Sequence, residues 1–373
     1  VAREMGVTHP ASKVVLVAGT NGKGSICQYL TDMAIAGGLR TGTSTSPHLF
    51  RFNERIAVDG EPVKDSIIVE AFERIDVARG HTSLTYFEFA SLASMAIFKD
   101  CELDLAILEI GLGGRLDAMN VVAPDLCIIA SIDLDHESWL GDTREAIGFE
   151  KAGILRHGIP LVLGDPDPPR SVIAQVDKLR VPMLAINRDF FIEDQLEYAL
   201  PAASFATARK ASEVLNLNLS DELYIEIAST SMLAGRKTWW RSGCRVLLDV
   251  AHNPAAANLL LEYVKGLDLA GNMHGLFGIY ADKNIRGVAE VFKGQFMTWH
   301  LTNLDESRAA QASEIVRHMP DADRGAVSTY AKIDFALDAV FEIAKPEDLV
   351  VVFGSFSVVA RSLEYLKKQN IKT

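Results

Sequence analysis

The chain has 373 residues, 49% hydrophobic and 23% charged, the proportions of a globular protein that buries a large core and divides into two or three domains. Lysine and arginine number 37 against 49 aspartates and glutamates, a formal net charge of −12, which excludes a nucleic-acid binder with a general basic face but leaves room for anionic ligands in a local positive pocket. No apolar run reaches the roughly 18 residues of a membrane span, and Cys27, Cys101, Cys127 and Cys244 lack paired spacing, so a reducing, cytoplasmic setting without membrane or nucleic-acid partners is expected.

Arg3 to Val7 reads as the tail of a helix whose start lies outside the chain, so the N-terminus is taken as truncated. The β-branched run Val14 to Ala18 then predicts a buried strand, and an amphipathic helix is expected from Ile26 to about Ala36. Between them lies Gly19-Thr20-Asn21-Gly22-Lys23-Gly24-Ser25, a glycine-rich turn from strand to helix. Glycines let backbone N–H groups converge on an anion, the helix N-terminus adds a positive dipole, and the lysine adds a full charge suited to a polyphosphate. The spacing is irregular, because two residues rather than four separate Gly19 from the Gly22-Lys23 pair.

A short strand is expected from Leu39 to Thr43, entering a long polar loop from Ser44 to Ile56, and helices are expected from about Val63 to Ala78 and Tyr86 to Lys99. Thr85 and Glu88 have the spacing of a capping box at the start of the second helix. The strand Leu103 to Glu109 ends in a carboxylate, and the strand Leu126 to Ile132 runs into Asp133-Leu134-Asp135-His136. Ligands of open parallel sheets sit beyond the carboxyl ends of the strands, so the Lys23 loop, Glu109 and His136 are expected on one sheet edge. Singly, each has a plainer explanation: Glu109 can pair with Arg115, His136 can face solvent and Ser46 can cap a turn. Together, oxygen ligands and an imidazole near a polyphosphate suggest a Mg²⁺ site.

A helix from about Thr143 to Lys151 places that lysine in its last turn, where spacing alone favours an offset to the helix dipole. A strand follows at Pro160 to Gly164, the stretch from Leu184 to Pro201 is poorly patterned as though residues were absent, and helices are expected near Ser204 to Leu215 and Ser220 to Ala228. Leu233 to Arg236 reads as a linker into a second α/β unit. There the strand Arg245 to Val250 leads to Asn253 as N-cap and Pro254 at the first helical position. Strands and helices alternate to a final strand at Leu349 to Phe353. The Gly354-Ser355 turn after it suits either a ligand or tight packing.

In this order the motifs GTNGKGS, TSPHLFRFNERI, LTYFE, LEIGLGGRLDAMN, LDHESWLG, EKAGI, AGR, DVAHNP and FGSF resemble the folylpolyglutamate synthase family of the Mur ligase superfamily, in its bifunctional dihydrofolate-synthesising bacterial branch. The resemblance implies an α/β protein with a P-loop domain over residues 1–235 that binds ATP and pterin. A smaller Rossmann-like domain over residues 236–373 would stand on the glutamate side of a closing cleft. It implies a monomeric, ATP-dependent amide ligase that joins L-glutamate to dihydropteroate and to the glutamate tail of reduced folates through an acyl phosphate. By similarity, the residues Gly19, Thr20, Asn21, Gly22, Lys23, Gly24 and Ser25 would bind the nucleotide phosphates, with Arg236 and Asp249 also reaching the nucleotide. Ser46 and Glu109 would ligate one Mg²⁺, and His136 would join Glu109 at a second. Lys151 matches a lysine that is carbamylated in the family and supports the second metal, which replaces the helix-dipole reading. Arg51, Thr85 and Phe87 would bind the pterin substrate, and His252 and Ser355 the incoming glutamate; Lys23, His136, Lys151 and His252 would be the catalytic set. The chain departs from the family pattern at Ala234, at Ser204-Phe205 near the expected adenine position, and at Met119. Two other readings remain open at this point: a peptidoglycan Mur ligase acting on a UDP-sugar peptide, and a regulatory P-loop module without ligase activity.

Overall fold

The computed structural model describes residues 1–370. The chain divides into two compact units, Val1–Leu233 and Ala234–Thr373.

In the first unit the strands are β1 (Ala11–Ala18), β2 (Thr41–Ser44), β3 (Ile56–Val58), β4 (Glu61–Pro62), β5 (Leu103–Glu109), β6 (Leu126–Ile129), β7 (Leu161–Leu163) and β8 (Met183–Ala185). They form one sheet in the order β4-β3-β2-β5-β1-β6-β7-β8, parallel from β2 to β8, with β3 and β4 added as an antiparallel edge. Its helices are α1 (Lys23–Ala36), α2 (Asp65–Arg79), α3 (Tyr86–Asp100), α4 (Glu137–Leu140), α5 (Arg144–Lys151), α6 (Arg170–Leu179), α7 (Ala202–Val214) and α8 (Asp221–Thr230). Alternate residues of β1 feed two different cores. Val14, Leu16 and Ala18 pack with α3 residues such as Met95 and Phe98, whereas Val15 and Val17 pack with Ile26, Leu30 and Phe205 of α1 and α7. A strand buried on both faces explains the unbroken apolar run.

In the second unit the strands are β9 (Thr238–Ser242), β10 (Cys244–Asp249), β11 (Met273–Phe277), β12 (Thr298–Thr302), β13 (Val327–Tyr330) and β14 (Leu349–Phe353), in the order β13-β12-β11-β14-β10-β9. The sheet is parallel apart from β9, which pairs antiparallel with β10. The helices are α9 (Pro254–Lys265), α10 (Ile285–Val291), α11 (Ala312–His318), α12 (Ile333–Ile343) and α13 (Phe356–Asn370). One core face is aromatic. The Phe292 ring centre lies 4.6 Å from that of Phe353, and the Phe296 ring stands 4.7 Å from Trp299 at 84°, an edge-to-face pair. Truncating a fully buried ring of this kind costs about 3–5 kcal/mol.

Several expectations need correction. Arg3 to Val7 is not the end of a regular helix. Met5 N donates to Val1 O at 2.9 Å, and the turn closes at Gly6 with φ +65°. The strand expected at Leu39 to Thr43 is displaced to Thr41–Ser44, and the polar loop after it contains a 3₁₀ turn at Phe52–Arg55 and surrenders Ile56 to β3. The poorly patterned stretch after Leu184 begins inside β8, and Tyr198 and Leu200 within it pack against the α1–α7 core. The helix α6 and the edge strands β9 and β13 have no counterpart among the expected elements. By contrast, Asn253 does cap α9 by accepting from Ala256 N at 2.9 Å, with Pro254 next to it. Thr85 and Glu88 do form a capping box, at 3.2 and 2.7 Å.

Candidate functional site

Three adjacent parallel strands, β5, β1 and β6, deliver Glu109, the Gly19–Ser25 loop and the Ser131–His136 segment to one edge of the first sheet. The loop is anchored through Thr20 and Asn21 to the segment after β6. Thr20 N donates to Ser131 O at 2.6 Å, Thr20 Oγ1 donates to Asp133 O at 3.0 Å, and Asn21 N donates to Ser131 Oγ at 3.2 Å. Gly19 cannot be replaced cheaply. Its φ is +151°, and a Cβ there would stand 2.7 Å from Ala130 Cβ. Gly22 takes φ +89° as the residue before α1, so the first N–H groups of that helix are free of a side-chain cap. Ser25 is buried in the first turn.

Two lysines converge on one carbonyl. Lys23 Nζ donates to Gly19 O at 3.0 Å and to Thr20 O at 3.2 Å, and Lys151 Nζ, from the end of α5, donates to Gly19 O at 2.8 Å. Lys151 is only 3% exposed. Burial first, and the Lys23 charge second, push its amine well below the usual lysine range, against the opposing pull of Asp135. Lys151 is therefore biased toward its neutral amine, which a helix-dipole role would not require. Lys23, Lys151, Asp135 and His136 line one cavity with Gly111 and Gly113. His136 precedes α4 with φ +54°.

A second cavity on the same unit is lined by Ser46, Phe87 and Glu109, among others. Glu109 is buried, and its Oε2 accepts from Ser46 N at 3.0 Å. The same oxygen lies 3.9 Å from where a Cβ on Gly24 would stand, so the carboxylate faces the first turn of α1. Arg115 does not pair with Glu109; its guanidinium binds Glu150 at 2.9 Å. Phe87 lies against Gly111, where a Cβ would come within 2.5 Å of the ring.

Among the described residues no group of three or more His, Cys, Asp or Glu side chains is disposed to hold a metal by itself. The donor chemistry nevertheless fits a Mg²⁺ that takes one or two protein oxygens and completes its shell with water and phosphate oxygens. Glu109 and Ser46 are adjacent and supply that kind of donor. His136 lines the other cavity with the lysines.

The remaining predicted residues are placed as follows. Arg51 is an exposed side chain paired with Asp65 at 3.1 Å, and Thr85 spends its hydroxyl on the cap of α3. In the second unit, Asp249 accepts from Lys237 N at 3.0 Å and Ala251 N at 2.9 Å, with Arg236 Nη1 3.6 Å away. His252 Nδ1 lies 2.8 Å from Val250 O; a carbonyl only accepts, so Nδ1 carries the proton. Ser355 Oγ accepts from Val358 N at 3.1 Å at the start of α13. Gly354 before it resolves in favour of packing, since a Cβ would stand 2.6 Å from Gly278 O.

Two carboxyls near the phosphate loop, the buried Asp135 and the half-buried Asp117, escaped the sequence reading. Asp135 faces Lys151 and accepts from His136 N at 2.8 Å. Asp117 accepts from Leu112 N and Met119 N, both at 2.9 Å, and burial raises its carboxyl despite these bonds and the Lys23 charge. Asp135 stands beside a singled-out histidine and Asp117 ends a glycine-rich run, which were the available signals.

Residues 235–356 match the family model of the Mur ligase glutamate ligase domain. The chain is 36% identical over 382 residues to the dihydrofolate synthase/folylpolyglutamate synthase of Escherichia coli K12, covering 98% of this chain and 89% of that protein. It is 35% identical to the enzyme of the same name from Haemophilus influenzae, covering 96% and 90%. Among solved structures, E. coli FolC in complex with DHPP and ADP superposes with a TM-score of 0.94 at 35% identity, covering 99% of this chain and 92% of that one. The Yersinia pestis bifunctional enzyme complexed with AMPPNP and Mn superposes at 0.93, also at 35% identity, covering 98% and 92%.

Proposed function

The chain belongs to the bifunctional dihydrofolate synthase/folylpolyglutamate synthase family of Mur ligases, and on that premise we propose that it is an ATP-dependent ligase joining L-glutamate to dihydropteroate and to the glutamate tail of reduced folates. The observation that carries this reading is the convergence of Lys23, Lys151 and the Gly19–Ser25 loop at the end of β1, with Glu109 at the end of the neighbouring β5. That arrangement puts the Lys23 charge and uncapped helix N–H groups where a triphosphate would bind, beside a carboxylate able to share a divalent cation.

A carboxylate does not form an amide in water without activation. The acceptor carboxylate oxygen attacks the γ-phosphorus, the bond to the ADP oxygen breaks, and an acyl phosphate forms. The glutamate amine then attacks the acyl carbon and phosphate leaves. Lys23 and the loop N–H groups hold the phosphates and neutralise charge on the transferring group. Ser46 and Glu109 would hold Mg²⁺, with His136 serving a second ion; Mg²⁺ bound there would supply Lewis-acid neutralisation of phosphate charge. Lys151, whose amine burial biases toward the neutral form, adds to CO₂ by forming an N–C bond and releasing a proton to solvent. The carbamate would put an anion, in place of an ammonium, in the cavity that His136 lines and so favour a cation there.

Phe87 contacts the pterin, with Arg51 and Thr85 at the rim of that site. Arg236 and Asp249 reach the nucleotide, and His252 and Ser355 face the incoming glutamate. On this reading residues 1–235 bind ATP and pterin and residues 236–373 receive glutamate. Its four free cysteines are in keeping with a cytoplasmic setting, and on this reading the protein acts there as a monomer. A heavy-oxygen label in the acceptor carboxylate tests the chemistry. One labelled oxygen is expected in the released phosphate, and unlabelled phosphate would rule out the acyl phosphate.

A further inference from the structure

The cavity beside Glu109 contains a cation that neither the phosphate loop nor the candidate metal ligands use. Arg55 closes the 3₁₀ turn and is only 9% exposed. Its Nε donates to His48 Nδ1 at 2.7 Å, and its guanidinium carbon lies 5.9 Å from the Phe52 ring centre and 5.5 Å from that of Tyr86. Among the described residues, its terminal nitrogens Nη1 and Nη2 donate to no protein acceptor, and they stay open to the cavity rather than sealed in the core. A guanidinium keeps its charge and its donors, so the open end of the fork is available to an anion that enters the cavity.

The surroundings are built to hold that fork still. Glu54, the preceding residue, gathers the Leu49, Phe50 and Arg51 N–H groups at 2.6, 2.9 and 2.8 Å. The loop carrying His48 is thereby tied to the turn carrying Arg55. Arg55 lines the same cavity as Ser46, Phe87 and Glu109. A flat aromatic contact, a buried planar cation and a candidate metal carboxylate around one small space match a ligand with an aromatic body that ends in a carboxylate. Two parallel N–H groups suit a carboxylate in a way that a lysine would not.

Resting on the ligase reading above, we propose that Arg55 is a further catalytic residue, whose Nη fork grips the acceptor carboxylate beside Glu109 and keeps its oxygens in place as one of them is phosphorylated. Arg55 exchanges no proton in that step. His48 is a positioning residue that orients the fork through Nε.

The test uses the full chain with ADP present and divalent ions chelated, so that a metal cannot select the carboxylate. Binding of dihydropteroate and of its carboxamide analogue is followed by pterin fluorescence. The wild-type chain is expected to prefer the carboxylate roughly 10- to 100-fold, the worth of charge-assisted hydrogen bonds. Arg55→Gln should bind both within about threefold of one another, and Arg55→Lys should keep part of the preference. In turnover, Arg55→Gln should lower kcat/KM for the acceptor while leaving KM for ATP and glutamate unchanged. Undiminished preference in Arg55→Gln, or equal binding of both analogues by the wild-type chain, overturns the proposal. The second outcome needs no variant and so does not depend on whether Arg55→Gln folds. A wild-type chain that neither binds nor turns over dihydropteroate would overturn the ligase reading instead.

Discussion

Acidification should weaken the second unit through one histidine. His300 on β12 is buried, with Nε2 3.0 Å from Thr298 Oγ1 and Nδ1 3.0 Å from Tyr330 Oη. Thr298 Oγ1 also lies 2.8 Å from His274 Nδ1, and His274 Nε2 is 3.4 Å from Asp348 Oδ2, so five side chains form one continuous polar chain. Burial first, and His274 second, push His300 down from 6.5 to about 4. Above pH 6.5 His300 is neutral in both folded and unfolded chains and contributes no pH dependence. As pH falls from 6.5 toward 4 the unfolded chain gains a proton that the folded chain refuses, and stability is lost; below about 4 the loss is complete and level. At about 1.4 kcal/mol per unit, the shift corresponds to a loss of at most about 3 kcal/mol. Three of the four tryptophans, Trp239, Trp240 and Trp299, lie in this unit, so urea unfolding followed by tryptophan fluorescence reports mainly on it. The wild-type chain should lose up to about 3 kcal/mol relative to His300→Gln across that window. Parallel stability curves for the two proteins would refute the reasoning.

The remaining predictions concern the ligase site. Lys23→Ala and Glu109→Ala should each lower turnover at least about 10²-fold with an unchanged circular dichroism spectrum; wild-type-like turnover in either would remove its phosphate or metal role. Mass spectrometry of the intact protein in bicarbonate should find a CO₂ adduct that maps to Lys151 and is absent from Lys151→Met. An adduct elsewhere, or none, would return Lys151 to the role of a buried neutral amine.

The parts of the fold visible in the sequence were those encoded locally. The β-branched run before Gly19, the carboxylate ending Leu103–Glu109, and the Asn253-Pro254 and Thr85-Glu88 caps all depend on neighbours within a few residues. The edge strands were obscure because β9 and β13 are half exposed and take their conformation from pairing with β10 and β12. Helix α6 was legible in principle, since Val172 and Val176 recur at helical spacing, but it follows a proline pair that reads as loop. Arg55 was hidden for a different reason. Its burial is created by His48, Phe52 and Tyr86 around it, and a lone arginine in a polar stretch carries no local mark of that environment. The lowered basicity of Lys151 likewise comes from its burial beside Lys23, far away in the chain. Spacing alone had suggested a charge at a helix end.

The central claim is tested most directly by phosphate release from ATP in the presence of L-glutamate and either dihydropteroate or tetrahydrofolate. Release that requires ATP, glutamate and an acceptor together, and that occurs with each acceptor, is the predicted result. ATP hydrolysis indifferent to acceptor and glutamate would contradict it.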